Sequence, residues 1–185
     1  MDKLTIAVIA GTVREGRQSI KAAKWVAEFG RKQKNVEIIF VDPQEFAMPS
    51  DGNNAETRNS RYAEITANAD AFLIVTPEYN HSFPGSLKRL LDSEYDNYFH
   101  KPVALAGVSN GPWGGVRACE ALLPVCHRLG LVNIRPELYF PKVQELFDNQ
   151  GMLKPEYTEL HTRAAQTAYD ELIWMAKALK AARQP

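Results

Sequence analysis

The chain has 185 residues, of which 45% are hydrophobic and 24% are charged, values typical of a soluble globular protein. Its 22 Lys and Arg residues equal its 22 Asp and Glu residues in number, so it lacks the basic surplus expected of a nucleic-acid-binding protein. The apolar runs are too short for a membrane span and the N-terminus has no signal-peptide pattern. We therefore expect a cytoplasmic protein with a single domain over residues 1–185.

Apolar strands alternate with amphipathic helices along the whole chain. The predicted strands are 4–10, 36–41, 71–76, 102–108 and 131–134, the last of which could extend to 140. The predicted helices are 18–32, 57–69, one that begins near 84, 116–129 and 157–182. Continuously apolar strands that alternate with helices predict an α/β fold: a doubly wound, five-stranded parallel sheet with helices on both faces. In such sheets, ligands bind at the carboxyl ends of the strands.

The loop after the first strand has the features of a phosphate-binding site. It runs into the first predicted helix, whose N-terminus offers unpaired N–H groups and a partial positive charge. Thr12 and Ser19 add hydroxyl groups, and Arg14 and Arg17 add guanidinium groups suited to a phosphate dianion. The alternative is a polar surface turn, since two arginines within four residues are common on protein surfaces.

This loop matches neither of the two best-known nucleotide-binding motifs. It lacks the Gly-x-Gly-x-x-Gly dinucleotide fingerprint and the Gly-x-x-x-x-Gly-Lys-Ser/Thr phosphate loop. Asp42 ends the second predicted strand, where a ribose-binding acid stands in dinucleotide-binding folds. Without the glycine pattern, a ribose-binding role for Asp42 is given little weight.

The loops after the third and fourth strands reach the same edge of the predicted sheet. Pro77 opens the first of these loops, and Asn80 adds amide donors and acceptors. The second loop, 109–115, is rich in small residues and carries Trp113 as a flat wall. A ligand with a phosphate at one end and a planar polar ring at the other, such as flavin mononucleotide (FMN) or another nucleotide, fits this arrangement. Each loop taken alone could be an ordinary turn, and His81 is interpreted as a loop residue rather than a proton donor.

Two other features are interpreted without a catalytic role. Cys119 and Cys126 share one face of a predicted helix, too far apart for a disulfide, so they are expected in the core. No cluster of residues has metal-ligand spacing, so no metal is expected. The polar segment 44–56 could be a mobile flap or an ordinary surface loop.

Three motifs of the chain resemble the NAD(P)H-dependent FMN reductase family, which has a flavodoxin-like fold and includes chromate, quinone and azo-dye reductases. The most specific is Thr76-Pro77-Glu78-Tyr79-Asn80, followed by a small-residue turn and Leu-Lys. The loop 11–19 is similar to the family's phosphate loop, and the segment 114–118 is similar to its Gly-Gly-x-Arg segment. The resemblance covers nearly the whole chain and implies the strand order 2-1-3-4-5.

The resemblance implies an FMN site whose phosphate is held by the first loop and whose isoalloxazine ring lies along the other two. No catalytic side chain is predicted, because the cofactor carries the chemistry. The predicted cofactor-binding residues are Thr12, Arg14, Arg17, Gln18, Ser19, Pro77, Glu78, Tyr79, Asn80, Ser109, Gly111, Trp113 and Gly114.

The predicted activity is hydride transfer from NADPH or NADH through bound FMN to a small acceptor by a ping-pong mechanism. The acceptor could be free flavin, a quinone, an azo compound or chromate, and the sequence distinguishes neither the acceptor nor the donor. A flavodoxin-like electron carrier and a non-catalytic FMN-binding module are the alternatives; zero net charge and the two loop arginines argue against the carrier. The resemblance also implies a homodimer or homotetramer.

Overall fold

The predicted apolar strands are present and form one parallel sheet. A computed structural model describes residues 3–46, 58–135 and 137–183. Its strands are β1 (Leu4–Ala10), β2 (Val36–Val41), β3 (Ala71–Pro77), β4 (Pro102–Val108), β5 (Val132–Asn133) and β6 (Leu138–Phe140). The strand order β2-β1-β3-β4-β5 confirms the prediction of a flavodoxin-like, doubly wound sheet.

The helices lie close to their predicted positions. They are α1 (Ser19–Arg31), α2 (Ser60–Asn68), α3 (Gly85–Asp92), α4 (Val116–Arg128), α5 (Val143–Leu146) and α6 (Pro155–Arg183), with 3₁₀ turns at Pro43–Glu45 and Asp96–Tyr98. Helix α2 begins after Asn59, whose side-chain oxygen accepts the N–H of Tyr62 at 3.1 Å. Residue 57, where this helix was predicted to begin, lies outside the described residues, as do residues 47–56 of the predicted 44–56 segment.

The fifth strand position is divided between two short strands. β5 pairs with the first residues of β4 through Pro102 and Val103, and β6 pairs with its last three residues, Ala106 to Val108. Each of the two strands thus pairs with a different half of β4. The prediction of one strand at 131–134, with an extension to 140 left open, therefore needs this correction, although the sheet order is unchanged.

Helices cover both faces of the sheet. Alternate residues of β1 point to opposite sides: Ile6 and Val8 pack in the core under α1 and α6, and Ala7 and Ile9 pack in the core under α2, α3 and α4. This two-sided burial explains why the strands are continuously apolar in the sequence. None of the described helices has the length and apolar character needed to cross a lipid bilayer. That residues 1–185 form a single domain stays a prediction.

Candidate active site

Three loops meet at the carboxyl edge of the sheet. They are the β1 loop (residues 11–18), the β3 loop (78–84) and the β4 loop (109–115). The parallel register pairs Ala10 with Val75 and Pro77 with Val108, so these strands end side by side and their loops leave from neighbouring points. The convergence predicted from the sequence is thus confirmed.

The β1 loop passes directly over β3. The Gly11 N–H donates to the Val75 carbonyl at 2.8 Å, and a Cβ at position 11 would lie 2.9 Å from the Thr76 Cα, so only glycine fits there. The next residue, Thr12, is 2% exposed, and its Oγ1 lies 3.1 Å from the Tyr79 hydroxyl. The β1 and β3 loops therefore touch through their side chains.

Arg14 brings a positive charge to this contact. Its side chain lies beside the Tyr79 ring, with the guanidinium carbon 5.9 Å from the ring centroid. Its backbone N–H points to Thr12 Oγ1 at 3.3 Å. None of the ion pairs among the described residues includes Arg14. Its charge is therefore available to an anionic ligand.

The N-terminus of α1 lies next to Arg14 along the loop. The Gln18 side chain does not cap the helix and donates instead to the Gly16 carbonyl at 3.3 Å. The first turn of α1, all of which the structure describes, contains no acidic residue that would neutralise the helix dipole. Ser19, the first helical residue, adds a hydroxyl group at the same place. The region thus favours a negative charge.

Arg17, in contrast, already has protein partners. Its guanidinium group forms an ion pair with Asp42 at the end of β2, with 2.5 Å between Nη2 and Oδ2, and it also donates to the Thr12 carbonyl. Only 8% of the Arg17 side chain is exposed. The two arginines of this loop therefore have different surroundings, although the sequence predicted similar roles for them.

The β3 loop is fixed by a tight two-residue turn. The N–H groups of Tyr79 and Ser82 donate to each other's carbonyls at 2.8 and 3.0 Å. The intervening residues, Asn80 and His81, have φ values of 49° and 66°, which asparagine and histidine adopt more readily than most residues. The turn holds Tyr79 in place, and its N–H, like that of Glu78, is hydrogen bonded within the protein. These two amides are thus not free to bind a ligand.

Glu78 connects the β3 loop to α4. Its side chain is 7% exposed, and its Oε1 accepts the Arg117 Nε–H at 2.6 Å, while its Oε2 has no partner among the described residues. Arg117 belongs to the Gly-Gly-x-Arg segment that the sequence singled out. Its ion pair with Glu78 could not be predicted, because the two residues are 39 positions apart.

A segment that the sequence did not assign to the site holds the β4 loop. The Ser109 N–H donates to the Phe140 carbonyl at 3.1 Å, and the Val143 N–H donates back to the Ser109 carbonyl at 3.0 Å. The Lys142 N–H donates to the Gly111 carbonyl at 3.0 Å. The residues that follow β6 therefore fix the backbone of the β4 loop.

The comparison with known protein families decides what kind of protein this is. Residues 4–145 match the family model for NADPH-dependent FMN reductase. The chain belongs to this family. The reductase is therefore an oxidoreductase with FMN as its cofactor and NAD(P)H as its electron donor, rather than an electron carrier or a non-catalytic module.

Individual relatives agree with this assignment. The reductase is 31% identical over 183 residues to an NAD(P)H-dependent FMN reductase of Schizosaccharomyces pombe, covering 90% of this chain and 87% of that one. It is 29% identical to a 2-hydroxy-1,4-benzoquinone reductase of a Burkholderia species, covering 90% and 94%. The solved structure of FerB, a flavoenzyme NAD(P)H:(acceptor) oxidoreductase of Paracoccus denitrificans, has the same fold, with a TM-score of 0.75 at 23% identity over 94% of this chain and 98% of that one.

The three loops of the reductase surround a depression of about 290 Å³. Its lining consists of Arg14, Glu15, Gly16, Arg17, Gln18, Ser19, Pro77, Glu78, Tyr79, Val108, Ser109, Asn110 and Val143. Most of the predicted cofactor-binding residues are among them. Thr12 is buried and touches the lining residue Tyr79, while other predicted residues are not part of the lining: Asn80, Gly111, Trp113 and Gly114. Trp113 is 64% exposed and lies outside the lining, so its role as a flat wall against the ligand stays a prediction.

Several lining residues were not predicted. Glu15, Gly16 and Asn110 lie inside loops that the sequence had already selected, so the motifs themselves contained the signal. Val143 comes from α5, which was not predicted, and no sequence pattern connects it with the strand ends.

The two cysteines lie in the core, as predicted. Burial raises the pKa of both thiols, that of Cys126 to about 12, and nearby carboxylates raise that of Cys119 further. Because the thiolate is the reactive form, these thiols are poor nucleophiles at neutral pH.

Proposed function

We propose that the depression binds FMN and that the reductase uses it to transfer hydride from NADPH or NADH to a small acceptor. The phosphate would lie against the β1 loop and the isoalloxazine ring between the β3 and β4 loops. The observation that supports this most is the contact of Thr12 and Arg14 with Tyr79. This contact puts the proposed phosphate-binding loop directly beside the proposed binding site of the isoalloxazine ring. Free flavin, quinones, azo compounds and chromate are the proposed acceptors.

The residues at the phosphate end suit a dianion. Arg14 would supply a positive charge that has no ion-pair partner among residues 3–46, 58–135 and 137–183, and the N-terminus of α1, which has no side-chain cap, would supply N–H groups and a partial positive charge. Gln18 and Ser19, which also line the depression, would supply further hydrogen-bonding groups, and Thr12 would contribute through its contact with Tyr79. A phosphate monoester at this position would receive both charge and directed donors.

The residues at the ring end suit a flat, polar heterocycle. Pro77 has no N–H, and the N–H groups of Glu78 and Tyr79 are bonded within the protein, so Pro77 and Tyr79 would contact the ring through their side chains. Val108, Ser109 and Val143 also line the depression, from β4, its loop and α5.

The protein's own contribution would be binding and orientation rather than acid–base catalysis. When bound, FMN would supply the redox chemistry by which hydride from NAD(P)H reaches the acceptor. The fixed β3 turn and the hydrogen bonds that hold the β4 loop keep the ring slot in one shape. If donor and acceptor use the same open side of the site in turn, the kinetics are ping-pong.

Steady-state kinetics test this proposal. The FMN-loaded protein is assayed with NADPH, or with NADH, and a benzoquinone, with both concentrations varied. We expect parallel lines in a double-reciprocal plot and no turnover by the FMN-free protein. Intersecting lines contradict the ping-pong mechanism. Absence of donor oxidation with quinone, free flavin, azo dye and chromate alike contradicts the proposed activity.

The homodimer or homotetramer implied by the sequence resemblance stays a prediction, which we propose together with the activity. Sedimentation analysis of the FMN-loaded protein tests it. We expect a mass of two or four chains, and a species with the mass of one chain contradicts the prediction.

A further inference from the structure

We propose that Arg17 and Asp42 are positioning residues that hold the β1 loop in its phosphate-binding shape, and that Arg17 does not itself bind the phosphate. This inference rests on the proposed FMN site. It gives a function to Asp42, which ends the second predicted strand. The sequence itself offered little support for a ligand-binding role of this residue.

The two residues form an ion pair that is almost completely buried. The Arg17 Nη2 and Asp42 Oδ2 atoms are 2.5 Å apart, and the side chains are 8% and 13% exposed. Because Asp42 balances the charge of Arg17 at close range, the pair as a whole presents little positive charge to a ligand. An arginine that served mainly as a phosphate ligand would gain from having no carboxylate so close.

The ion pair also holds the backbone of the β1 loop. Arg17 Nη1 donates to the Thr12 carbonyl, and Nη2 donates to the Gln44 Oε1 at 3.0 Å. Gln44 in turn donates from Nε2 to the Val13 carbonyl at 2.8 Å, while its backbone N–H donates to Asp42 Oδ1 at 3.0 Å. Two successive carbonyls of the loop are thereby tied to the residues that follow β2.

This connection decides which way the loop's amides face. In a planar trans peptide, the carbonyl and the N–H point in opposite directions. With the Thr12 and Val13 carbonyls directed to Arg17 and Gln44, the N–H groups of Val13 and Arg14 are directed away from them. The Arg14 N–H accordingly points to Thr12 Oγ1 on the Tyr79 side. The pair thus orients the segment that carries Arg14.

A direct phosphate-binding role and a positioning role for Arg17 predict opposite effects of Asp42→Asn. If Arg17 binds the phosphate, removing the competing carboxylate makes the loop more positive and FMN binds more tightly. If the pair positions the loop, the same change releases the Thr12 and Val13 carbonyls and FMN binds more weakly. Riboflavin has no phosphate, so its affinity changes little in either case.

The experiment measures dissociation constants of FMN and riboflavin for the wild type, Asp42→Asn, Gln44→Ala and the control Glu45→Gln. Glu45 lies in the same 3₁₀ turn as Gln44, and its carboxylate pairs with the exposed Arg61, so Glu45→Gln removes the same charge without touching the β1 loop. We expect Asp42→Asn to weaken FMN binding about tenfold, which is the effect of roughly one charge-assisted hydrogen bond. Gln44→Ala should weaken it less, and Glu45→Gln should leave it unchanged.

An FMN affinity that is unchanged or increased in Asp42→Asn overturns the inference. An equal loss of affinity for FMN and riboflavin also overturns it, because such a loss would indicate a general disturbance of the fold. If circular dichroism shows that Asp42→Asn does not fold, Gln44→Ala, which keeps both buried charges, decides by the same criterion. A wild-type protein that binds neither flavin overturns the proposed function itself, whereas FMN binding that Asp42→Asn does not weaken overturns only the positioning role.

Discussion

The two edges of the sheet use charged residues differently. At the amino edge, Asp70 accepts the Thr5 N–H at 3.0 Å and pairs with Lys180 at 2.9 Å and Arg183 at 3.6 Å. Lys101 is 7% exposed and donates to the last carbonyls of α2. Each of these charges has partners in another part of the same chain, so substitutions at this edge should act on stability.

At the carboxyl edge, a charged side chain and a hydrogen-bond acceptor have no partner among the described residues. Arg14 has no ion-pair partner among the described residues, and Glu78 Oε2 accepts no hydrogen bond there. The exception is the buried pair of Arg17 and Asp42, which supports the loop that carries Arg14. The comparison teaches that substitutions at the amino edge should change stability and not FMN affinity, whereas substitutions of the open groups at the carboxyl edge should change FMN affinity and not stability.

Asp70→Ala should have the largest effect on stability. It removes the acceptor of the Thr5 N–H and leaves Lys180 and Arg183 without their carboxylate. Because these two cations are partly exposed, we expect a loss of about 2–3 kcal/mol in the free energy of unfolding, below the full value for a buried pair. Urea denaturation measures it.

The control for Asp70→Ala is Glu37→Ala, which breaks an exposed pair with Lys3 and should change the free energy of unfolding by less than about 0.5 kcal/mol. The FMN affinity of Asp70→Ala should equal that of the wild type. A tenfold loss of FMN affinity in Asp70→Ala would contradict the claim that the amino edge acts on stability and not on FMN binding.

Arg14→Ala should have the largest effect on cofactor binding. It removes the open charge of the β1 loop, so we expect FMN to bind more weakly by about 1–3 kcal/mol, while riboflavin affinity and the free energy of unfolding stay unchanged. Fluorescence titration of the apoprotein with each flavin measures both affinities. Arg163→Ala, an exposed arginine on α6, is the matched control, and equal losses in the two variants would contradict the role of Arg14.

Lys101→Met should remove a pH dependence of the free energy of unfolding that arises at the amino edge. Burial, with a contribution from Arg183, lowers the pKa of Lys101 from 10.5 to about 8 in the folded protein. Above pH 8 the unfolded chain then binds more protons at this residue, so its contribution to the free energy of unfolding rises with pH until the unfolded side chain also titrates.

The stability difference between the wild type and Lys101→Met should therefore move in favour of the wild type by about 1–2 kcal/mol from pH 8 to about pH 9.5. Denaturation curves of the two proteins over this range give the difference, in which the shared titration of tyrosines and thiols cancels. A difference that is constant with pH would show that the folded Lys101 has an ordinary pKa.

Tyr79→Phe should have the smallest effect. It keeps the ring beside Arg14 and removes the hydrogen bond between the Tyr79 hydroxyl and Thr12 Oγ1. We expect FMN affinity to fall by about 0.5–1.5 kcal/mol, the usual value of one hydrogen bond. Tyr95→Phe removes an exposed tyrosine hydroxyl that accepts from Arg128, and it should leave FMN affinity unchanged.

The fold was largely predictable because its strands are buried on both faces. Four strands begin where they were expected, since apolar runs such as 4–10 and 102–108 end at polar or small residues that cannot continue them. The division of the fifth position into β5 and β6 was missed, because it depends on which half of β4 each segment pairs with.

The candidate site was predictable where its residues form a motif within a single loop. Arg14, Ser19 and Tyr79 lie in recognisable motifs that follow predicted strands, and the parallel sheet brings them together. The pairing of Arg17 with Asp42 and the placement of Val143 depend on contacts between distant segments, which residue patterns do not encode. The exposure of Trp113 likewise depends on the path of the loop rather than on its composition.

The visible absorption spectrum of the FMN-reconstituted protein, recorded without oxygen before and after addition of NADPH or NADH, tests the central claim most directly. We expect the reconstituted protein to retain one FMN per chain, the flavin band to bleach when the reduced nicotinamide is added, and the band to return when a quinone follows. Failure to retain FMN, or a flavin band that neither NADPH nor NADH bleaches, would contradict the proposed site and its function.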